Sequence, residues 1–223
     1  AMTSSSRRVS YVATYTSGDI TTFGIDPVSG ALNDMGAVAA GTNPRSVKVA
    51  LSGRYAYVAN EGTDNVTTFS IDQTTGALTE VGSEVAAGGG AQSVAVTPSV
   101  RFAYVANNLS DNVTTFRINP TTGALTEVGT EVAAGDGPTS VTADPSGRFA
   151  YVTNDFSDNI TTFSIDPTTG ALTEVGTEVA AGTNPRSVKV ALSGRYAYVA
   201  NEGTDNVTTF SVDQTTGALT EVG

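Results

Sequence analysis

Two arginine–glutamate combinations are the residues of this chain whose types and spacing best suit chemistry. Arg45 precedes Glu61 by sixteen residues, and Arg186 precedes Glu202 by the same interval. An arginine can bind a carboxylate or a phosphate, and a glutamate beside it can act as a general base. These four residues are therefore candidate catalytic residues of an anion or sugar site. The alternative is that each arginine pairs with a glutamate between neighbouring loops, and we favour it because both combinations arise through one duplication.

A second candidate site consists of aspartates that recur at intervals of 47 residues: Asp64, Asp111, Asp158 and Asp205. Four equivalent carboxylates are a weak calcium motif, since Ca²⁺ takes about 6–8 oxygen ligands, often from one Asp-rich loop. Each loop here offers a single Asp-Asn pair, which favours a turn aspartate that bonds its own backbone. We therefore expect neither a metal ion nor a cofactor.

Composition excludes several kinds of catalysis. The chain contains no histidine and no cysteine, so it cannot form a Ser-His-Asp triad, a thiolate nucleophile or a cysteine-based zinc site. Lys48 and Lys189 fall in predicted inner strands, where they make poor bases. Tyr15 and Phe156 fall at predicted loop tips, where they could stack on a sugar, so a carbohydrate-binding protein is one alternative.

The charge of the chain limits its partners. There are 22 acidic and 11 basic side chains, which gives a net charge of −11. Such a surface repels nucleic-acid phosphates and works against the steering of an anionic sugar phosphate. No apolar stretch approaches the roughly 18–20 residues that span a bilayer, and residues 1–10 contain no apolar signal-peptide core. We expect a soluble protein without nucleic-acid or membrane partners, cytoplasmic by default, whose ligand is a small molecule or a sugar if it has one.

The elements that must position these residues come from a repeat. Tyr-Val pairs begin at five places, separated by 46 and then 47 residues: Tyr11, Tyr57, Tyr104, Tyr151 and Tyr198. A fixed period in this range indicates a solenoid, a propeller or an array. One period contains four short β-rich runs and no helical periodicity, which is typical of a propeller blade. In the second period these runs are 46–51, 55–59, 66–71 and 78–81, and the Asp-x-x-x-Gly segment 72–76 between the last two predicts a turn.

The predicted fold is therefore an all-β propeller that occupies residues 1–223 as a single domain. It has five four-stranded antiparallel blades of about 47 residues, with approximate boundaries 8–40, 41–87, 88–134, 135–181 and 182–223. The first blade lacks its inner strand, because residues 1–5 lose the apolar pattern seen at 47–51. The exposed edge at 9–13 predicts either weak closure by residues 1–6 or a homo-oligomer formed through this incomplete blade.

The repeat also resembles a known family. Residues 151–154 read YVTN, and residues 157–176 read SDNITTFSIDPTTGALTEVG. These motifs are similar to the lactonase-family (YVTN-repeat) β-propellers, which include propeller-type 6-phosphogluconolactonases. The resemblance covers residues 8–223 and implies a lactone hydrolase. Such lactonases usually have seven blades, and related propeller enzymes are expected to use a histidine, which this chain lacks.

Residues 38–82 and 179–223 are identical except that Ile71 corresponds to Val212. This near-identity indicates a recent duplication or deliberate assembly. Our leading interpretation is a non-catalytic propeller scaffold or interaction module, in keeping with an engineered or fragmentary repeat. The alternatives are a lactonase that uses Arg45, Arg186, Glu61 and Glu202, and a carbohydrate-binding propeller.

Overall fold

The computed structural model describes residues 8–222, and every regular element in this range is a β-strand. The first sheet contains β1 (Val9–Thr14), β2 (Asp19–Ile25) and β3 (Leu32–Ala39). The second contains β4 (Pro44–Val49), β5 (Tyr55–Asn60), β6 (Asn65–Ile71), β7 (Leu78–Glu80) and β8 (Val85–Ala86). The third contains β9 (Ala91–Val96), β10 (Phe102–Asn107), β11 (Asn112–Ile118), β12 (Leu125–Glu127) and β13 (Val132–Ala133).

The last two sheets repeat the same order. The fourth contains β14 (Pro138–Ala143), β15 (Phe149–Asn154), β16 (Asn159–Ile165), β17 (Leu172–Glu174) and β18 (Val179–Ala180). The fifth contains β19 (Pro185–Val190), β20 (Tyr196–Asn201), β21 (Asn206–Val212) and β22 (Leu219–Glu221). No helix long and apolar enough to cross a membrane occurs within the described range.

Every sheet is an antiparallel meander whose strands lie side by side in chain order. In the second, third and fourth sheets the outer strand is split into two short strands: β7 matches the predicted run 78–81, β8 lies beyond that run, and both pair with β6. When each split strand is counted once, these sheets have the four strands that the repeat predicts. The first sheet has three strands, and β1 pairs only with β2 among residues 8–222. The predicted closure by residues 1–6 falls outside the described residues.

The hairpins that precede the outer strands are fixed by their own side chains. Asp72 accepts hydrogen bonds through Oδ1 from the backbone N–H groups of Thr74 and Thr75, at 2.9 and 2.7 Å. The hydrogen bond from the backbone N–H of Thr75 is the main reason why the pKa of the Asp72 carboxyl lies below its usual value. Asp166 forms the same turn in the fourth sheet. These turns agree with the prediction from the Asp-x-x-x-Gly pattern.

The hydrophobic core lies between neighbouring sheets, because each sheet is apolar on both faces. One face carries the tyrosine of the Tyr-Val pair, and we call it the tyrosine face. The opposite face carries the phenylalanine of the third strand, and we call it the phenylalanine face. Tyr57 on the tyrosine face of the second sheet belongs to one buried cluster with Ala103, Phe116 and Leu125 on the phenylalanine face of the third. The same pairing of faces joins each sheet to the next.

A hydrogen bond between sheets recurs with these apolar contacts. The hydroxyl of Tyr57 donates to the carbonyl of Gly123 at 3.0 Å, and the hydroxyl of Tyr151 donates to the carbonyl of Gly217 at 2.9 Å. Tyr104 and Tyr11 make the equivalent bonds. Burial raises the pKa of the Tyr57 and Tyr151 phenols well above the usual tyrosine value. Each phenol is thus held neutral as a donor to the next sheet.

This bond should be measurable in stability. We expect Tyr151→Phe to lower the free energy of unfolding by about 1–2 kcal/mol, because it removes a buried donor and leaves the Gly217 carbonyl unpaired. The control is Tyr15→Phe, since Tyr15 is a 39% exposed loop side chain whose ring, which the substitution keeps, lies under Arg45. That control should change stability by less than about 0.5 kcal/mol. Urea denaturation of both variants tests the prediction, and equal losses would contradict it.

Candidate functional site

The innermost strands of four sheets bring one set of polar residues to a common pocket. Arg45, Gln92, Thr139 and Arg186 occupy the second position of β4, β9, β14 and β19, at intervals of 47 residues. These strands lie next to one another in that order. Together with Glu202, the four side chains line a pocket of about 480 Å³. The structure thus places three of the four predicted catalytic candidates on one pocket.

The fourth candidate, Glu61, lies beside this pocket and anchors one side of it. Its Oε2 accepts from Nε of Arg45 at 2.8 Å, and its Oε1 accepts from Nε2 of Gln92 at 2.8 Å. The guanidinium of Arg45 also lies over the ring of Tyr15, 4.2 Å from the centroid. Both oxygens of Glu61 are therefore engaged, and its side chain is only 21% exposed. This half of the pocket is fixed by contacts from three sheets.

The opposite side of the pocket is more open. Nη1 of Arg186 lies 2.8 Å from Oδ2 of Asp155, which is 3% exposed and whose Oδ1 accepts from Nδ2 of Asn184 at 3.0 Å. Nε of Arg186 donates to Glu202. The side chain of Glu202 is 64% exposed and that of Arg186 is 50% exposed. An ion pair this exposed contributes about 0–1 kcal/mol, so a ligand can replace it at little cost.

Both arginine–glutamate pairs are therefore formed, as expected from the interpretation of these residues as ion pairs. The catalytic roles of the four candidates stay a prediction. Asp155, Gln92 and Thr139 were not among the candidate catalytic residues, although the sequence predicts that their loops share one face with Arg45 and Arg186. The period of 47 residues contained the signal, because Asp155 occupies the position of Glu61 and Glu202 in its own unit.

The repeated aspartates make different hydrogen bonds from the ones expected. Oδ1 of Asp64 accepts from the backbone N–H of Gly90 at 2.7 Å, and Oδ1 of Asp158 accepts from that of Asn184 at 2.8 Å. Asp111 makes the equivalent contact. The expectation that these aspartates bond their own backbone is wrong for Asp64, Asp111 and Asp158, whose side chains reach the next sheet. All four aspartates, Asp205 included, have a positive φ, which is 51° at Asp64. Within residues 8–222 no three His, Cys, Asp or Glu side chains cluster closely enough to hold a metal ion.

The two loop aromatics do not line the pocket. Tyr15 is 39% exposed beneath Arg45, and Phe156 is 69% exposed. Neither belongs to the polar surface formed by Arg186 and its neighbours. A sugar-stacking role for the two rings together stays an untested prediction.

Comparison with known proteins supports one of the predicted classes. The sequence model of the family described as "Lactonase, 7-bladed beta-propeller" matches residues 2–94 and 86–223. No curated protein matches the chain in sequence. The family match covers nearly the whole chain and agrees with the resemblance carried by the YVTN motif.

Solved structures show the same fold. A candidate 6-phosphogluconolactonase of Bacteroides fragilis is 28% identical, with a TM-score of 0.84 over 99% of this chain and 67% of its own. A Lactobacillus plantarum protein is 24% identical, with a TM-score of 0.87 over 97% of this chain and 67% of its own. The periplasmic gluconolactonase PpgL of Pseudomonas aeruginosa is 23% identical, with a TM-score of 0.80 over 96% of this chain and 65% of its own. The predicted propeller fold is confirmed, and the chain spans about two thirds of the length of these proteins.

The leading functional interpretation from the sequence, a non-catalytic scaffold or interaction module, is wrong. The family match and the similarity to the Bacteroides fragilis protein favour the lactonase alternative of the sequence analysis. The error came from the weight placed on the missing histidine. A water can also be activated by a carboxylate, and the pocket described above contains one.

Proposed function

Because this chain belongs to the lactonase family of seven-bladed β-propellers, we propose that it is a lactonase that acts at the pocket lined by Arg45, Arg186 and Glu202. The observation that carries the proposal is the meeting of an exposed arginine and an exposed glutamate in this pocket. Hydrolysis of a lactone needs a donor to the carbonyl oxygen and a base for the attacking water. The pair supplies both groups within one ligand-sized space.

The chemistry assigns one task to each side chain. Glu202 accepts a proton from a water as the water oxygen attacks the lactone carbonyl carbon. The guanidinium of Arg186 donates to the carbonyl oxygen, which becomes an oxyanion in the tetrahedral intermediate. The intermediate collapses as the ring C–O bond breaks, and protonated Glu202 returns its proton to the departing ring oxygen. The product is the open hydroxy acid, which ionises and releases one proton to the solution.

The charges around the pocket favour an uncharged sugar lactone over a phosphorylated one. Two arginines, Arg45 and Arg186, face three carboxylates, those of Glu61, Asp155 and Glu202. A phosphate would have to compete with these carboxylates and approach a chain of net charge −11. Gln92, whose Nε2 is held by Glu61, can accept from a sugar hydroxyl through its amide oxygen.

The proposal is tested by titrating acid release during hydrolysis of glucono-δ-lactone in a pH-stat. We expect the folded protein to raise the rate well above that of an equal amount of heat-unfolded protein. We expect a smaller kcat/KM for the 6-phosphorylated lactone. Absence of catalysis with both lactones would contradict the proposed function, whereas a preference for the phosphorylated lactone would contradict only the choice of substrate.

A further inference from the structure

The tyrosine face of the fifth sheet is uncovered in this structure. Tyr196 and Tyr198 are each 43% exposed, and Val207 is 61% exposed. The equivalent side chains of the second sheet are at most 6% exposed, because the third sheet covers them: Tyr55, Tyr57 and Val66. The second and fifth sheets are almost identical in sequence. The fifth sheet therefore carries a surface that the chain elsewhere buries against another sheet.

The first sheet has the complementary surface uncovered. On its phenylalanine face Leu32 is 58% exposed, whereas its four equivalents in the other sheets are each 7% exposed. Val12, on β1 of the same sheet, is 43% exposed. The turn that ends in Gly30 is equally open, with no heavy atom within 4 Å of the place where a Cβ would lie. At the equivalent Gly123 the ring of Tyr55 fills that space.

We propose that the tyrosine face of the fifth sheet in one copy of this chain packs on the phenylalanine face of the first sheet in a second copy. The two open surfaces are the two halves of an interface that the chain forms four times with itself. In the contact between copies, the hydroxyl of Tyr198 donates to the carbonyl of Gly30, as Tyr151 does to Gly217 within the chain.

Hydrogen bonds between neighbouring sheets also indicate the first sheet of another copy as the partner of the fifth sheet. Within the chain, Nη1 of Arg101 donates to the carbonyl of Pro167 at 2.9 Å, and Arg148 donates to the carbonyl of Gln214. The next arginine in this series is Arg195, and the corresponding acceptor in the first sheet is the carbonyl of Pro27. A partner must present a turn with these carbonyls beside an apolar strand, and the first sheet of another copy does so.

The contact is head-to-tail, because the fifth sheet of one copy meets the first sheet of the other. Such heterologous contacts leave one free surface of each kind, so that further copies can add. The two copies together carry ten sheets, more than the seven blades of the family's ring. The second copy must therefore lie offset along the axis or widen the ring. This interface differs from the edge pairing of β1 that the sequence predicts.

The test measures the mass of the full chain by size-exclusion chromatography with light scattering over a range of concentrations. We expect species of at least twice the chain mass of 22.6 kDa. Val207→Asp and Leu32→Asp each place a charge in one half of the interface and should give monomers. Leu109→Asp is the matched control, because Leu109 is 74% exposed in the turn between β10 and β11 of the third sheet, which contributes neither half of the interface, and should leave the mass unchanged.

Mixing the two variants distinguishes head-to-tail contact from other arrangements. Val207→Asp keeps the first-sheet surface and Leu32→Asp keeps the fifth-sheet surface, so an equimolar mixture should form a dimer and nothing larger. Circular dichroism of each variant should match the wild type, since both positions are exposed. A strictly monomeric wild type would overturn the proposal. It would also fail if either variant alone still associated, or if the mixture stayed monomeric.

Discussion

Glu202→Gln is expected to lower kcat for lactone hydrolysis by about 10²- to 10⁴-fold, the usual contribution of a general base. The amide keeps the size of the side chain and its hydrogen bond from Arg186, but it cannot accept the proton of the attacking water. Arg186 keeps its contact with Asp155 in the variant, so the pocket should hold its shape. KM and the melting temperature should change little. Initial rates in a pH-stat and a thermal melt provide the two measurements.

The control for this variant is Glu174→Gln, which removes a carboxylate from the exposed outer strand β17. It changes the net charge by the same amount and should leave kcat unaltered. If Glu202→Gln stayed fully active while Glu61→Gln lost activity, the base would belong to the Arg45 side of the pocket. If neither change affected kcat, this pocket would not be the site of hydrolysis.

Gly170→Ala is expected to lower the free energy of unfolding by about 2–5 kcal/mol. Gly170 has a φ of +82°, and a Cβ there would lie 2.4 Å from Cδ1 of Phe102. Phe102 is 2% exposed, so its ring has no room to move aside. The strain of a left-handed alanine contributes about 1–2 kcal/mol, and the overpacking contributes about 1–3 kcal/mol. For a domain with a typical stability of about 5–15 kcal/mol, such a loss approaches unfolding.

Gly176→Ala separates the two causes. Gly176 has a φ of +68°, but no heavy atom lies within 4 Å of the place where a Cβ would lie. This variant should lose only the backbone term of about 1–2 kcal/mol. Urea denaturation of both variants gives the difference, which measures how tightly the turn of one sheet packs on the aromatic ring of its neighbour. Similar losses in the two variants would show that this contact is soft.

Much of the fold could be predicted from one repeat, because strands and hairpins depend on residues close together in the chain. The Tyr-Val pair, the β-branched run and the Asp-x-x-x-Gly turn each gave the correct element. The split of the outer strand into β7 and β8 was not predicted. Val81 and its neighbours resemble an ordinary turn at the end of a strand, so the sequence does not show that a second short strand follows. The backbone N–H of Val81 still bonds to the carbonyl of Thr68, which bridges the two pieces.

In the candidate site, side-chain contacts within one repeat unit could be predicted from the sequence, whereas contacts between units could not. Arg45 and Glu61 belong to the same unit, so their pairing could be anticipated. The contact of Arg186 with Asp155 crosses two sheets, as does that of Asp64 with Gly90. Such contacts depend on how far one sheet is rotated from the next, and no pattern within a single repeat records that angle.

The constant spacing of the tyrosine–glycine bonds has a consequence for how this chain can change in length. Donor and acceptor are 66 residues apart at Tyr57, Tyr104 and Tyr151 alike. Excision of residues 88–134 would therefore present Gly170 to Tyr57 in the place of Gly123, with the bond and its apolar surroundings restored. Whole units can be gained or lost by genetic slippage without creating a new type of junction, whereas a partial unit would disrupt two. The gene can thus lengthen or shorten in steps of one blade, as the near-identical segments 38–82 and 179–223 illustrate.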